Sequence, residues 1–182
     1  MGFFDDMLGG NSAVVGQLAK QFGITEEQAR EAMRHMTPAI GRGMQQAEKK
    51  GGMGSLIEAI NGGDKDRYID EPEILGKPEA TRDGNIVLGE IFNNDKDVSR
   101  NIGGYAAKKT GLPASMMKMM LPILASIVMG YLSKQRRRAP APQYRGRGNS
   151  SGGLGGLLGS LLDSDKDGSI ADDLIRMATR YI

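Results

Sequence analysis

Apolar and polar residues do not alternate along this chain, so the sequence contains no convincing strand pattern. The apolar stretches have the lengths and boundary residues that are typical of helices. Thr25 and Gln28 have the spacing of a capping box, which predicts a helix that begins there and runs towards Lys50. Gly23 is placed to end the preceding helix, and Pro113 to stand in the first turn of a later one. The pattern therefore predicts an all-α fold.

Two stretches of the sequence resemble each other. Residues 10–18 are similar to residues 84–91 with one residue deleted, and each stretch leads towards an apolar helix that contains a proline. These prolines are Pro38 and Pro122. Because proline removes a backbone hydrogen bond and crowds the preceding turn, each is expected to kink its helix or divide it in two. The similarity predicts a two-repeat helical bundle.

The two half-units are predicted at about residues 10–61 and 84–135, within a duplicated helical domain that spans residues 1–135. Between them, residues 62–83 are polar and rich in Gly, Pro and charge, which predicts a long joining loop. We interpret two short acidic sequences as solvated turns. They are Asp64-Lys65-Asp66, within this segment, and Asp95-Lys96-Asp97, after it.

Two further segments follow the helical domain. Residues 136–153 carry Arg, Pro, Gly and Ser with almost nothing to bury, which predicts a flexible basic linker. Residues 154–182 contain a short Gly- and Leu-rich stretch, a cluster of Asp residues and a final apolar stretch. This order predicts a C-terminal helix, an Asp-rich loop and a second helix.

The Asp-rich loop is the clearest chemical site in the sequence. Carboxylates at loop positions one, three and five, a Gly at six and a backbone carbonyl at seven follow the pattern of an EF-hand calcium loop. Position twelve, where a bidentate Glu is expected, is Leu174, so an Asp at position ten or eleven is expected to close the ligand shell. The alternative is that these Asp residues only cap the final helix. The predicted Ca²⁺ ligands are Asp163, Asp165, Asp167, Ser169, Asp172 and Asp173.

The most apolar stretch of the chain lies at residues 116–132. Its uninterrupted part, residues 119–132, is shorter than the roughly twenty residues that a helix needs to span a bilayer. Pro122 weakens a membrane interpretation further. A buried core helix is the expected structure, and a membrane-associated or partner-binding helix is the alternative.

A basic segment follows this helix, with six basic residues and no acidic one between Lys134 and Arg147. One interpretation is favourable charge at a helix C-terminus followed by a solvated tail. Another is contact with an anionic membrane surface. Residues 144–148 resemble an RGG-type segment, which keeps loose binding of nucleic acid as a weaker alternative. The residues predicted for membrane contact are Lys134, Arg136, Arg137 and Arg138.

The composition argues against an enzyme. The chain has no Cys, which excludes disulfides, thiolate nucleophiles and zinc–thiolate sites and makes a reducing cytoplasm the expected compartment. The N-terminal sequence lacks the pattern of a signal peptide. His35 is the single His, and no recognised catalytic spacing places a Ser or a carboxylate pair beside it. The Gly-rich residues 51–54 lack the Lys and Ser or Thr of a phosphate-binding loop.

A resemblance to a known family rests on several motifs taken together. They are residues 84–92 (Gly-Asn-Ile-Val-Leu-Gly-Glu-Ile-Phe), 110–112 (Thr-Gly-Leu), 121–130, the start 1–5 and the ending 161–174. With these motifs the chain resembles the bacterial YidB-like family, catalogued as domain of unknown function 937. The resemblance covers most of the chain apart from about 62–82 and the basic linker. It implies an all-α fold and no particular activity, because none is established for the family.

These features together predict a non-catalytic binding or scaffolding protein of the bacterial cytoplasm with a calcium-type loop. The Met-rich apolar surface and the duplicated halves favour self-assembly. The first alternative is a peripheral membrane protein that uses residues 119–132 and the basic tail. The second alternative is a nucleic-acid-associated protein.

Overall fold

A computed structural model of the chain describes residues 12–138. In this part the chain forms seven α-helices, one 3₁₀ helix and no strand, which confirms the all-α prediction. The helices are α1 (Ser12–Phe22), α2 (Glu26–Lys49), α3 (Met53–Asn61), α4 (Arg67–Asp70), the 3₁₀ helix (Pro72–Gly76), α5 (Pro78–Ile91), α6 (Lys96–Thr110) and α7 (Ala114–Arg138).

The predicted boundary between α1 and α2 is present. The Thr25 backbone N–H donates to Gln28 Oε1 at 3.0 Å, and the Gln28 N–H donates to Thr25 Oγ1 at 3.1 Å. Gly23 has a positive φ of 64°, which favours Gly, and the Ile24 N–H donates to the Ala19 carbonyl at 3.0 Å. These local bonds stabilise the end of one helix and the start of the next.

The two internal prolines do not divide their helices. α2 continues past Pro38, and α7 continues past Pro122. Each proline was expected either to divide its helix or to kink it, and only division is contradicted. The kinks and the duplication of the two half-units remain predictions.

The loop prediction for residues 62–83 is wrong. The segment contains α4, the 3₁₀ helix and the first turns of α5, which begins at Pro78, where the missing proline N–H costs nothing. Tyr68, Ile74 and Leu75 are buried although charged residues surround them in sequence. The apolar residues are too few in each short helix to produce a readable period, so contacts with other helices determine the structure.

α7 is the core helix of the bundle. It packs against α2, α3, α4, α5 and α6, and its residues from Met120 to Met129 are all buried. Residues 114–135 are long and apolar enough to cross a membrane by length and composition, yet 72% of that apolar window is buried inside the bundle. The stretch predicted as a buried core helix therefore occupies the core.

Small residues let other segments approach α7 closely. A Cβ atom at Gly84 would overlap the carbonyl group of Pro122, so α5 lies directly on the α7 backbone. A Cβ at Gly130 would lie 2.7 Å from the Lys65 carbonyl oxygen. The Ser126 hydroxyl, fully buried, donates to the Ala80 carbonyl at 2.6 Å. These contacts bring the segment from Lys65 to α5 against the core helix.

Candidate functional site

The predicted calcium ligands lie outside the described residues. They are Asp163, Asp165, Asp167, Ser169, Asp172 and Asp173, and the structure does not test them. Between residues 12 and 138, no group of three or more His, Asp or Glu side chains is arranged to hold a metal ion.

A buried acid on α5 forms the first polar cluster. Asp83 Oδ2 accepts a hydrogen bond from the Tyr68 hydroxyl at 2.7 Å and pairs with the Lys65 ammonium group. The Asp83 side chain is 11% exposed and that of Lys65 is 15% exposed, so the pair is largely shielded from water. We call Asp83, Lys65 and Tyr68 the Asp83 cluster.

The Asp83 cluster shifts the pKa values of two of its members. Burial by itself would raise the pKa of Asp83, but hydrogen bonds from Lys65 and Tyr68 and the positive charges of Lys65 and Arg82 outweigh it. The pKa of Asp83 is therefore lowered, and the carboxylate is charged at neutral pH. Burial, the hydrogen bond to Asp83 and the charges of Asp83 and Glu79 raise the pKa of Tyr68, so this hydroxyl keeps its proton and donates it.

A second polar cluster joins the segment before α4 to the last turns of α7. The Ser133 hydroxyl donates to Asp66 Oδ1 at 2.7 Å. Arg137 Nη1 lies 3.0 Å from Asp66 Oδ2, and Arg137 Nη2 lies 3.1 Å from Asp64 Oδ1, so one guanidinium group bridges two carboxylates. Asp66 is only 7% exposed. The solvated-turn interpretation is therefore wrong for Asp66, which is buried. The sequence alone does not indicate this burial, because the partners of Asp66 on α7 lie far away in the sequence.

Lys134 completes this cluster by pairing with Asp70. We call the set of Asp64, Asp66, Asp70, Ser133, Lys134 and Arg137 the ionic clamp. Two of the four basic residues predicted for membrane contact, Lys134 and Arg137, thus have carboxylate partners within the bundle. The side chains of Arg136 and Arg138 lie outside the described part.

His35 contributes to packing between α2 and α6. Its Nε2 lies 3.5 Å from Glu31 Oε2, and its ring meets the edge of Tyr105 with the ring centroids 6.2 Å apart. The side chain is 13% exposed, and Nδ1 is buried without a hydrogen-bond partner in the described part of the chain.

An open groove of about 610 Å³ runs along the exposed side of α5 and the turn after it. Its volume lies in the range of small-molecule sites, but such sites enclose their ligand. One helix face and one turn supply the whole lining, so the groove is better suited to another helix than to a small molecule. The lining residues are Pro78, Thr81, Arg82, Asn85, Ile86, Gly89, Glu90 and Asn94.

A family described as bacterial protein of unknown function (DUF937) matches residues 5–135. The chain belongs to this family. No curated protein and no solved structure matches it significantly.

The match to DUF937 differs in extent from the resemblance found by motif. It runs through residues 62–82, which the motifs left out, and stops at residue 135, before the Asp-rich loop. The helical bundle is therefore the DUF937 part of the chain. Within it, the sequence motif at residues 84–92 indicated the family and contains part of the exposed side of α5, but only the structure separates its exposed from its buried positions.

Proposed function

We propose that this member of DUF937 is a non-catalytic binding or scaffolding protein of the bacterial cytoplasm, which carries a calcium-type loop beyond its helical bundle. The ionic clamp is the observation that supports this proposal. It fastens the last turns of α7 to Asp66, just before α4, and to Asp70, the last residue of α4.

The clamp gives α7 a fixed end. Arg137 bridges two carboxylates, and its contact with the buried Asp66 contributes more than its exposed contact with Asp64. A ligand or a partner bound beyond α7 would therefore act on a helix whose last turns are joined to the bundle by the buried Ser133–Asp66 hydrogen bond. This arrangement supports a scaffolding function.

The buried charges support a non-catalytic function. Asp83 forms an ion pair with Lys65 and accepts a hydrogen bond from Tyr68. Asp66 accepts a hydrogen bond from Ser133 and forms an ion pair with Arg137. Each buried carboxylate thus has the partners that its own burial demands. Neither lines the groove along α5.

Calcium titration of the full chain by calorimetry tests the loop. We expect binding heat that is lost in Asp165→Ala and in Asp167→Ala, because each variant removes one oxygen ligand. Asp97→Ala is the matched control, since Asp95-Lys96-Asp97 has the same spacing but is a helix cap, in which Asp95 Oδ1 accepts from the Asp97 N–H at 2.9 Å. Absence of heat at millimolar calcium would contradict the proposal.

The peripheral membrane protein remains the alternative, because α7 has a membrane-compatible length and composition. Its burial weighs against this function, since insertion would remove the core helix from five others. Sedimentation with anionic vesicles, without detergent and at low salt, separates the two. A scaffold stays in the supernatant, whereas a membrane protein pellets and is released as salt rises.

Nucleic-acid binding is the second alternative. It depends on residues 144–148, which lie outside the described residues. Retention on single-stranded nucleic acid that falls steeply as salt rises would support it, and no retention at low salt would exclude it.

A further inference from the structure

One side of α5 faces solvent with an exposed apolar side chain at its centre. Ile86 is 52% exposed, and Met119 is the other large apolar side chain of the described part that is exposed. The opposite side of α5, with Gly84, Val87 and Leu88, is buried against the bundle. α5 therefore has a second face that no part of the described bundle covers.

Charge is placed symmetrically around Ile86 on this face. Arg82 lies four residues before Ile86, and Glu90 lies four residues after it, so the three side chains form one row along the helix. Both charged side chains are exposed, and within residues 12–138 neither makes an ion pair. The row is thus positive at one end, apolar in the middle and negative at the other.

A shallower row runs beside it. Thr81, Asn85 and Gly89 have the same four-residue spacing and shorter side chains, and they line the open groove. Gly89 lies beside the Asn94 side chain, whose Oδ1 would be 2.8 Å from a Cβ at this position. A ridge of residues four apart beside such a groove is the surface that packs against another helix in the commonest packing class.

We propose that this face of α5 binds the same face of a second copy of the chain, with the two α5 helices antiparallel. A two-fold axis at Ile86 brings Ile86 against its symmetry mate. Because Arg82 and Glu90 are equally distant from Ile86, the same axis places Arg82 of each copy opposite Glu90 of the other. The row is therefore complementary to itself, as a two-fold interface requires. The inference names the surface for the self-assembly within the proposed scaffolding function and rests on that part of it.

The interface is small. α5 has 14 residues and is therefore about 21 Å long, so this face alone buries less area than a stable dimer needs. Two ion pairs and one apolar contact indicate a weak dimer whose population rises with protein concentration. Salt should weaken it, because Arg82 and Glu90 are exposed at its edges.

Sedimentation velocity of the full chain over a wide concentration range tests the proposal. We expect a monomer–dimer equilibrium in the natural protein and a monomer in Ile86→Asp. Arg82→Glu and Glu90→Arg alone should each raise the dissociation constant by about tenfold or more, because two attractive pairs become repulsive. Glu58→Arg on α3, an exposed Glu outside the row, should leave the dissociation constant unchanged.

Charge exchange gives the sharpest comparison. The double variant R82E/E90R restores both ion pairs and should dimerise like the natural protein. An equimolar mixture of R82E and E90R should form heterodimers although each variant alone is weakened. Circular dichroism confirms that each variant is folded.

Three results would overturn the proposal: a monomer at every concentration, a dimer that persists in Ile86→Asp, and no recovery in either the double variant or the mixture. Calorimetry on Ile86→Asp separates this proposal from the calcium loop. If calcium binding releases heat but no variant at Arg82, Ile86 or Glu90 changes the dissociation constant of the dimer, only the α5 interface is contradicted. If these variants weaken the dimer as expected but calcium binding produces no heat, only the calcium loop is contradicted.

Discussion

Gly84 and Gly104 show how differently two helical glycines are used. Gly84 has the Pro122 carbonyl against it, whereas nothing lies within 4 Å of a Cβ built on Gly104 of α6. We expect Gly84→Ala to lower the free energy of unfolding by about 3 kcal/mol or more, because α5 and α7 would have to move apart. Gly104→Ala should raise it by about 0.5–1 kcal/mol, because Ala loses less backbone freedom on folding.

Urea unfolding followed by circular dichroism measures both changes. The pair is informative because the same methyl group is added to the same kind of element. Equal effects of the two substitutions would show that α5 does not lie on the α7 backbone at Gly84.

Asp83 makes the stability of the bundle depend on acid. Its pKa is lowered in the folded protein, so its contribution is fully present above the ordinary pKa of a carboxyl group. That contribution is lost as pH falls from the ordinary pKa through the lower folded one. We expect Asp83→Asn to reduce the free energy of unfolding by about 3 kcal/mol at neutral pH, since the largely shielded Lys65 ammonium group loses its charged partner.

Denaturant midpoints measured between neutral and acidic pH test this expectation. The natural protein and Asp83→Asn should converge at low pH, because protonated Asp83 and Asn are both neutral. Parallel curves over the whole range would contradict a charged Asp83 in the folded state.

At the scale of the element, the last turns of α7 are held by bonds of unequal strength. Ser133 is buried and donates to the buried Asp66, whereas the pair between Lys134 and Asp70 is half-exposed on the Asp70 side. We expect Ser133→Ala to lower the free energy of unfolding by about 1–3 kcal/mol, because Asp66 loses a partner that water cannot replace. Lys134→Ala should lower it by about 1 kcal/mol or less.

Thermal or urea unfolding of the two variants provides the measurement, and Lys134→Ala serves as the matched control one residue away. A larger loss in Lys134→Ala than in Ser133→Ala would show that exposed charge, rather than the buried hydrogen bond, holds the end of α7.

Some elements could be predicted from the sequence, and others could not, for a physical reason. The boundary at Gly23, Thr25 and Gln28 depends on residues within a few positions of one another, so the sequence alone indicates it. The helices within residues 62–83 depend on distant partners. The buried Tyr68 hydroxyl donates to Asp83, and the Lys65 carbonyl lies against Gly130. Neither contact produces a pattern among neighbouring residues of the sequence.

At the scale of the whole molecule, α7 is the element against which α2 to α6 all pack. We expect its amides from Met120 to Met129 to exchange with deuterium more slowly than those of α1, because they open only when the bundle unfolds. Hydrogen exchange followed by mass spectrometry, without lipid, measures this. Equally fast exchange in α7 and α1 would contradict a core position and favour the membrane alternative.

The candidate site combines one local pattern with contacts that span the chain. The Asp-rich loop could be predicted because an EF-hand loop takes its ligands from consecutive residues, and it remains a prediction. The acidic residues near Asp66 and the basic residues near Arg137 were both visible in the sequence, but their pairing was not. Ser133 and Asp66 are 67 positions apart, and only the folded bundle brings them together.

The position of α7 at the end of the bundle has a consequence for synthesis of the protein. A nascent chain leaves the ribosome N-terminus first, at about 5–20 residues per second. The apolar surfaces of α2 to α6 that rest on α7 therefore emerge before the helix that covers them. Until residues 114–138 follow, the growing polypeptide cannot complete its fold, and it exposes these surfaces to chaperones and proteases.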